Sequence, residues 1–441
     1  MSMTYNKLAR SLALLCGLPL LASCGGGGGS GNGSVDTGSC SVNEQNAFFL
    51  DYMRENYFWY EDIPANIDPT DYSSVFALLD AIRSPQDRFS YVLTEQEYQE
   101  RFVNAEYVGF GFSTRVVGSG LFINYVFADS PAATAGMSRG DEILEIDGVA
   151  VATLIANGTL NSALGPAEEG TAITFRWAKP SGAEQTDVIT KTAVETNTVL
   201  AIERFAQDGK DIGYYVLNSF IDRTGADLNS AYNALVGVDE LIIDVRYNGG
   251  GLIRYANQAA TQAAGNNVMG NPFVSLIYND KNSDRNNTSL FQLVDGVQQL
   301  NLERVFVLTT GASCSSSELI INGLKPYIDV VVIGQPTCGK PVGQSPQPFC
   351  DKRSFVINFE TVNADGEGRY FDGLMPQCAA ADRLVGDWGV NGDPLLDEAK
   401  HYISFDNCSP SAQTSAQQAW LSDKDKPVRA ANLLEQWRRE F

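Results

Sequence analysis

Histidine is almost missing from this 441-residue sequence: His401 is the only one. A serine nucleophile activated by imidazole needs a histidine beside it, and zinc sites of the Cys/His type need one in a ligand pattern. His401 stands beyond the last strong α/β signals, next to Tyr402 and Ile403, and reads as a solvated or capping residue. Cysteine spacings match no zinc pattern, so no metal site is expected. Cations are also scarce, with 31 Lys and Arg against 53 Asp and Glu and a formal charge of −22. That balance removes the clustered basic surface needed to hold nucleic acid or to dock on an anionic membrane. Phosphate cradles are absent too. Gly249-Gly250-Gly251 and Gly339-Lys340 do not form GxxxxGK[ST], and no GxGxxG follows a strand and opens a helix. Asp365-Gly366-Glu367-Gly368 lacks the ligand spacing of a calcium loop. It reads instead as the turn of a hairpin between Phe355–Thr361 and Tyr370–Phe371. No cofactor is implied.

What is present begins with an address. Lys7 and Arg10 precede a mostly apolar stretch, Ser11 to Ser23, too short to span a bilayer and typical of a signal peptide. Leu21-Ala22-Ser23-Cys24 resembles a bacterial lipobox, which implies cleavage before Cys24 and lipidation of its thiol. Gly25 after it, rather than aspartate, favours the outer membrane if the source is Gram-negative. The Gly/Ser/Asn tract that follows cannot bury a core and reads as a flexible tether. An extracytoplasmic, lipid-anchored protein is therefore expected, touching the membrane through its N-terminal lipid only. Cys40, Cys314, Cys338, Cys350, Cys378 and Cys408 then remain for disulfides in an oxidising compartment. Cys350 and Cys378 flank the expected hairpin and are the first pair to consider.

Residues 43–104 carry apolar residues at helical spacing (Phe48, Phe49, Tyr52, Met53, Tyr57) and read as a helical domain. Residues 105–199 turn to short β-rich runs around Ser130-Pro131-Ala132-Ala133 and Gly140-Asp141-Glu142-Ile143. That pattern resembles a PDZ domain of the bacterial protease type. The resemblance implies that Gly109, Phe110, Gly111 and Phe112 receive a peptide C-terminus, with backbone N–H groups on its carboxylate and the peptide added as a strand. Residues 200–408 alternate buried-type strands with amphipathic helices, the mark of an α/β layered domain. A C-terminal tail or helix, 409–441, closes the chain.

Two segments carry the chemistry. Gly311-Ala312-Ser313-Cys314-Ser315-Ser316-Ser317-Glu318 ends a strand and opens a helix. Thr337-Cys338-Gly339-Lys340-Pro341-Val342-Gly343-Gln344 follows the next strand. Without histidine, a serine needs another base, and a lysine amine serves once burial makes it acidic. Lowering its pKa from about 10.4 by about 3 units costs roughly 4 kcal/mol, which a large domain offsets. Together the segments resemble the C-terminal processing peptidase (tail-specific protease) family, related to tricorn protease. The resemblance implies Ser315 as nucleophile, Lys340 as general base and Gln344 as the residue orienting the lysine. Asp244-Val245-Arg246-Tyr247-Asn248-Gly249-Gly250-Gly251 matches the family's Asp-Leu-Arg-x-Asn-Pro-Gly-Gly segment. From it Gly250 or Gly251 would join the Ser316 N–H in an oxyanion hole. The family order implies an α+β multidomain protein: a helical segment, a PDZ-like β-barrel and a ClpP/crotonase-like α/β protease core. Its substrates would be extracytoplasmic polypeptides with exposed C-terminal tails.

The sequence departs from the family pattern at Cys314, Ser316, Gly249 and Pro341, none of which removes a catalytic atom. Ser316 adds a competing hydroxyl, so a neighbouring serine remains the alternative nucleophile. If Ser315 meets Lys340, Cys314 and Cys338 must also lie close enough to bridge. The rival reading of the whole chain is a catalytically silent lipoprotein that binds peptides or other ligands on the same scaffold.

Overall fold

A run such as Leu241-Ile242-Ile243 has apolar side chains at successive positions, so it presents oil to both faces of any sheet it joins. The computed structural model of the protein describes residues 40–99, 102, 106–293 and 296–412; residues 1–39, and with them Cys24 and the tether, lie outside that set, as does nearly all of the expected C-terminal tail. Its central sheet has six strands in the order Val199–Gln207, Lys210–Leu217, Glu240–Asp244, Arg304–Thr309, Asp329–Gly334, Cys378–Ala379. The first pair is antiparallel and the rest run parallel. Alternate side chains sort to opposite faces, as the strand period requires. Tyr215, Leu241, Ile243, Val305 and Val307 join the core beneath helices Thr224–Ala234, Ile253–Ala264 and Ser316–Leu324. Ile212, Tyr214, Ile242, Phe306 and Leu308 pack on the other face against helix Pro394–Phe405. His401 sits on that second helix with its ring 4.7 Å from that of Phe405, on the face away from the serine segment.

The parallel strands deliver three turns to one end of the sheet: 245–251 after Asp244, 310–315 after Thr309, and 335–340 after Gly334. Ends of this kind are where open α/β sheets place their ligand sites.

The N-terminal segment does not fold on its own hydrophobic face. Ser41 opens helix Val42–Asn56 with a reciprocal Glu44 contact, and Ser74 caps helix Val75–Ile82. Their core is completed by Val342 of the lysine segment and by Phe349, Val356 and Ile357 beyond it. Tyr91–Thr94, expected within a helical stretch, is a strand paired antiparallel with Lys352–Phe355. Tyr-Val-Leu-Thr is built of strand formers, and a partner strand decides between the two states.

Residues 112–190 form a separate β unit with strand order Phe112–Val117, Gly120–Val126, Glu142–Ile146, Ala172–Ala178, Glu184–Thr190. Ile123, Ile143, Phe175 and Trp177 lie in its own core. Glu106–Gly109 pairs with Thr192–Glu195 where the chain enters and leaves it. The unit joins the large domain through buried charge. Arg246, fully buried, bonds Asp244, Asp382 and Asp393. Arg139 of the small unit reaches the same Asp382 and stacks over Trp388, and Arg115 pairs with Asp382 from the strand Phe112–Val117.

Two further expectations fail. Cys350 and Cys378 are not partners: the bridges are Cys40–Cys350, Cys314–Cys338 and Cys378–Cys408. Cys378 lies on the outer strand of the central sheet, whereas Cys350 lies in the turn between strands Gln347–Phe349 and Lys352–Phe355, beside the N-terminal helices. The expected hairpin is absent as well. Ile357–Val362 pairs with Pro272–Tyr278 and Val342–Gln344, so both its edges are taken, and residues 370–371 are not strand. The Asn363 side chain folds the turn, accepting from the amides of Asp365 and Glu367.

Arg246 compensates carboxylates whose side chains are almost wholly buried. Arg246→Ala should therefore lower unfolding free energy by about 3–5 kcal/mol in a denaturant titration.

Candidate active site

The serine cluster resolves by what each hydroxyl does. Ser313 Oγ donates to Val245 O (2.8 Å), Ser316 Oγ to Gly251 O (2.7 Å) and Ser317 Oγ to Asn248 O (2.9 Å), and all three residues are buried. These hydroxyls bind the serine turn to the glycine turn. Ser315 donates to no backbone carbonyl among the described residues and is only half-buried. It lines a cavity of about 590 Å³ together with Gly251, Lys340 and Gln344. Its backbone lies at φ 56°, ψ −113°, a region a residue with a Cβ rarely enters. Strain of this kind costs about 1–3 kcal/mol and is found where a turn must thrust a side chain into a site. The surrounding turn holds it there.

Much of that hold comes from Glu318, a residue with no role in the motif reading beyond its place in the alignment. Its carboxylate, fully buried, accepts from Ser315 N (2.8 Å), Gly339 N (2.8 Å), Lys340 N (2.8 Å) and Thr337 Oγ1 (2.5 Å). One group thus ties the serine turn to the lysine turn. Burial pushes its pKa up, while those donors pull it back toward the charged form. The Cys314–Cys338 bridge joins the same two turns covalently, with Cα atoms 5.1 Å apart.

Lys340 Nζ donates to Gln344 Oε1 (2.9 Å), and Gln344 Nε2 donates in turn to Phe89 O (2.8 Å). The amine lies 5.5 Å from the Phe89 ring centre. Burial lowers its pKa to about 8, against the opposing pull of Asp87 and Glu318. Ser315, Lys340 and Gln344 are thus brought to one cavity, and they also line a smaller adjoining pocket of about 60 Å³ with Leu319, Val342 and Phe359. Asp87, Arg88 and Phe89 come from the N-terminal segment. Nothing local in the sequence marks them for this site.

The glycine turn stands against the serine. A Cβ on Gly250 (φ 105°) would come within 2.8 Å of Ser315 Cβ and 2.9 Å of Cys314 O, so only glycine fits. The Gly250 amide donates to Asn248 Oδ1 (2.9 Å). Asn248 O accepts from Cys314 N (3.0 Å), fixing the two turns in register. Of the two glycines, Gly251 therefore offers the amide less encumbered by a neighbour.

In the small β unit the residues Gly109 to Phe112 divide their roles. The Phe110 and Phe112 rings are buried against Phe175, while Phe110 O and Gly111 O accept from Ala132 N and Phe127 N. Phe112–Val117 is an edge strand of its sheet. Half-buried His401 and the acidic 365–368 turn contribute nothing to the cavity lining.

Residues 211–376 match the family model described as peptidase family S41, and residues 44–91 match that of the peptidase S41 N-terminal domain. The chain is similar to the carboxy-terminal processing protease CtpB of Bacillus subtilis, 22% identical over 310 residues covering 69% of this chain. That match spans 62% of CtpB, less than two-thirds of its length. CtpA of the same organism is 24% identical over 383 residues, 85% of this chain and 76% of CtpA. A crystal structure of a Bacteroides fragilis protein assigned to the S41 proteases aligns with a TM-score of 0.68 at 25% identity, over 82% of this chain and 97% of that one. The shared fold is a mixed α+β arrangement with N-terminal helices and several sheets.

Serines that brace the turn and a serine that faces the cavity should differ in stability measurements. Ser313→Ala and Ser317→Ala should each cost about 0.5–1.5 kcal/mol, because a hydrogen bond between the two turns is lost while each carbonyl keeps its backbone donor. Ser315→Ala should leave the urea midpoint within experimental scatter of wild type.

Proposed function

This chain belongs to peptidase family S41, and we propose that it is a serine endopeptidase using a Ser315–Lys340 dyad. The observation that carries the reading is that Ser315, alone among the described serines on positive-φ backbone and donating to no backbone carbonyl, shares a cavity with a half-buried lysine whose desolvated amine has a lowered pKa. A neutral Lys340 amine would take the Ser315 proton as Oγ attacks the peptide carbonyl carbon. The resulting oxyanion would meet the Ser316 amide and a glycine amide, with Gly251 available and Gly250 needing release from Asn248. The lysine would then pass its proton to the departing amine, leaving an acyl group on Ser315. Water, deprotonated by the same amine, would complete hydrolysis. Gln344 would keep the amine aimed throughout.

We read residues 200–408 as the ClpP/crotonase-like catalytic domain and 105–199 as a PDZ-like unit. The edge strand Phe112–Val117 suits addition of a peptide strand, and the backbone near Gly109 and Gly111 suits a terminal carboxylate. Substrates would then be extracytoplasmic polypeptides chosen by their exposed C-terminal tails. Export and lipidation at Cys24 belong to this proposal and rest on the leader sequence alone.

The test is cleavage of casein and of a tailed peptide by wild type, Ser315→Ala and Lys340→Ala. Wild type should cleave and both variants should lose at least about a thousandfold; equal cleavage by all three would end the mechanism. A base that must be neutral also fixes the pH dependence. The lysine is raised to its charged, idle form below its pKa, so kcat/KM should climb with pH through about 8. The small pocket beside the serine further predicts faster cleavage after alanine or valine than after tryptophan in a matched peptide series.

A further inference from the structure

Between the lysine and the N-terminal segment lies a chain of polar contacts that the motif does not contain. Asp87 is buried, and its Oδ1 accepts from both Phe89 N and Ser90 N (2.9 Å each). Its Oδ2 accepts from Tyr57 O–H (2.6 Å). These bonds fold residues 87–90 into a fixed turn, and Ser90 Oγ accepts from Ile357 N (3.0 Å), locking the turn to the sheet beside the lysine strand. The turn presents Phe89 O to Gln344 Nε2, and Gln344 Oε1 in turn receives the Lys340 amine. Its next residue, Arg88, donates to Cys338 O, Gly339 O and Phe371 O and so clasps the lysine turn from the same side.

We infer that Asp87 is a positioning residue for the base: it shapes the turn whose carbonyl holds Gln344, and Gln344 aims the Lys340 amine at Ser315. The inference rests on the dyad reading above and extends it to a residue outside the catalytic segments. Asp87 acts on the lysine in two separable ways. Its amide-accepting oxygen sets geometry, and its charge favours the ammonium form of Lys340, as does that of Glu318 on the opposite turn. The Arg88 guanidinium is the cation on the same side.

The two contributions separate by substitution. Asp87→Ala removes the turn's acceptor, and kcat should fall about tenfold or more with KM within about twofold. Asp87→Asn keeps an oxygen for the Phe89 and Ser90 amides, so kcat should be largely restored. Without the negative charge, however, the ammonium loses support, and the acid limb of kcat/KM should move to lower pH. Tyr57→Phe keeps the charge and loosens its tether, so it should lower kcat without that downward movement. A pattern in which Asn is as damaging as Ala, or in which neither variant shifts the limb, overturns the inference.

An activity-free readout distinguishes this failure from that of the peptidase reading. On a Ser315→Ala background, the pH dependence of trinitrobenzenesulfonate labelling at Lys340, followed by peptide mass spectrometry, reports the amine directly. Asp87→Asn should lower its midpoint. An unmoved midpoint overturns the role of Asp87, whereas a lowered midpoint, found when the chain that retains Ser315 also cleaves nothing, upholds the hold of Asp87 on the amine and discards the peptidase assignment.

Discussion

A carboxylate in the protein interior is tolerated only when donors replace its water, and Glu318 meets that demand with groups drawn from both chemical turns. Ser315 N comes from one; Gly339 N, Lys340 N and Thr337 Oγ1 come from the other. Satisfying the charge and assembling the site are therefore the same event. The strained Ser315 backbone, the placement of the lysine and the Cys314–Cys338 bridge all presuppose this convergence. Two strands that merely lie side by side in the sheet become, at their ends, one rigid constellation.

The same logic recurs at larger scale. Arg246 lies two residues before Asn248, whose carbonyl and amide oxygen organise the serine and glycine turns. Its guanidinium meets Asp382, which also binds Arg115 and Arg139 of the small β unit and Tyr247. The small unit thus touches the polar framework on which the glycine turn is built. Buried charge of this kind contributes little net stability compared with apolar packing, but it specifies one arrangement of partners.

Legibility in the sequence followed locality. Strands buried on both faces announced themselves as apolar runs, as Leu241-Ile242-Ile243 does within Glu240–Asp244. The serine and lysine segments are each short and ordered, and they follow neighbouring strands, so their juxtaposition was foreseeable; the Cys314–Cys338 bridge followed from it. Contacts made across long separations were not foreseeable. Strand Tyr91–Thr94 exists because Lys352–Phe355 is there to receive it. Cys350 found Cys40, which is 310 positions away, because the N-terminal helices complete their core on the segment around Phe349. Asp87 reaches the lysine through Phe89 and Gln344, a route with no signature in residue spacing. Nor could composition reveal which serine hydroxyls brace the turn.

The Cys40–Cys350 bridge closes a covalent ring through the N-terminal helices, the small β unit and both chemical turns. A single backbone break anywhere between those two cysteines opens the ring without dividing the molecule. On the proposed peptidase reading, this makes a cut in the chain's own loops survivable. The fragments remain one particle until the sulfur–sulfur link is reduced, so chain integrity and molecular integrity become separate properties.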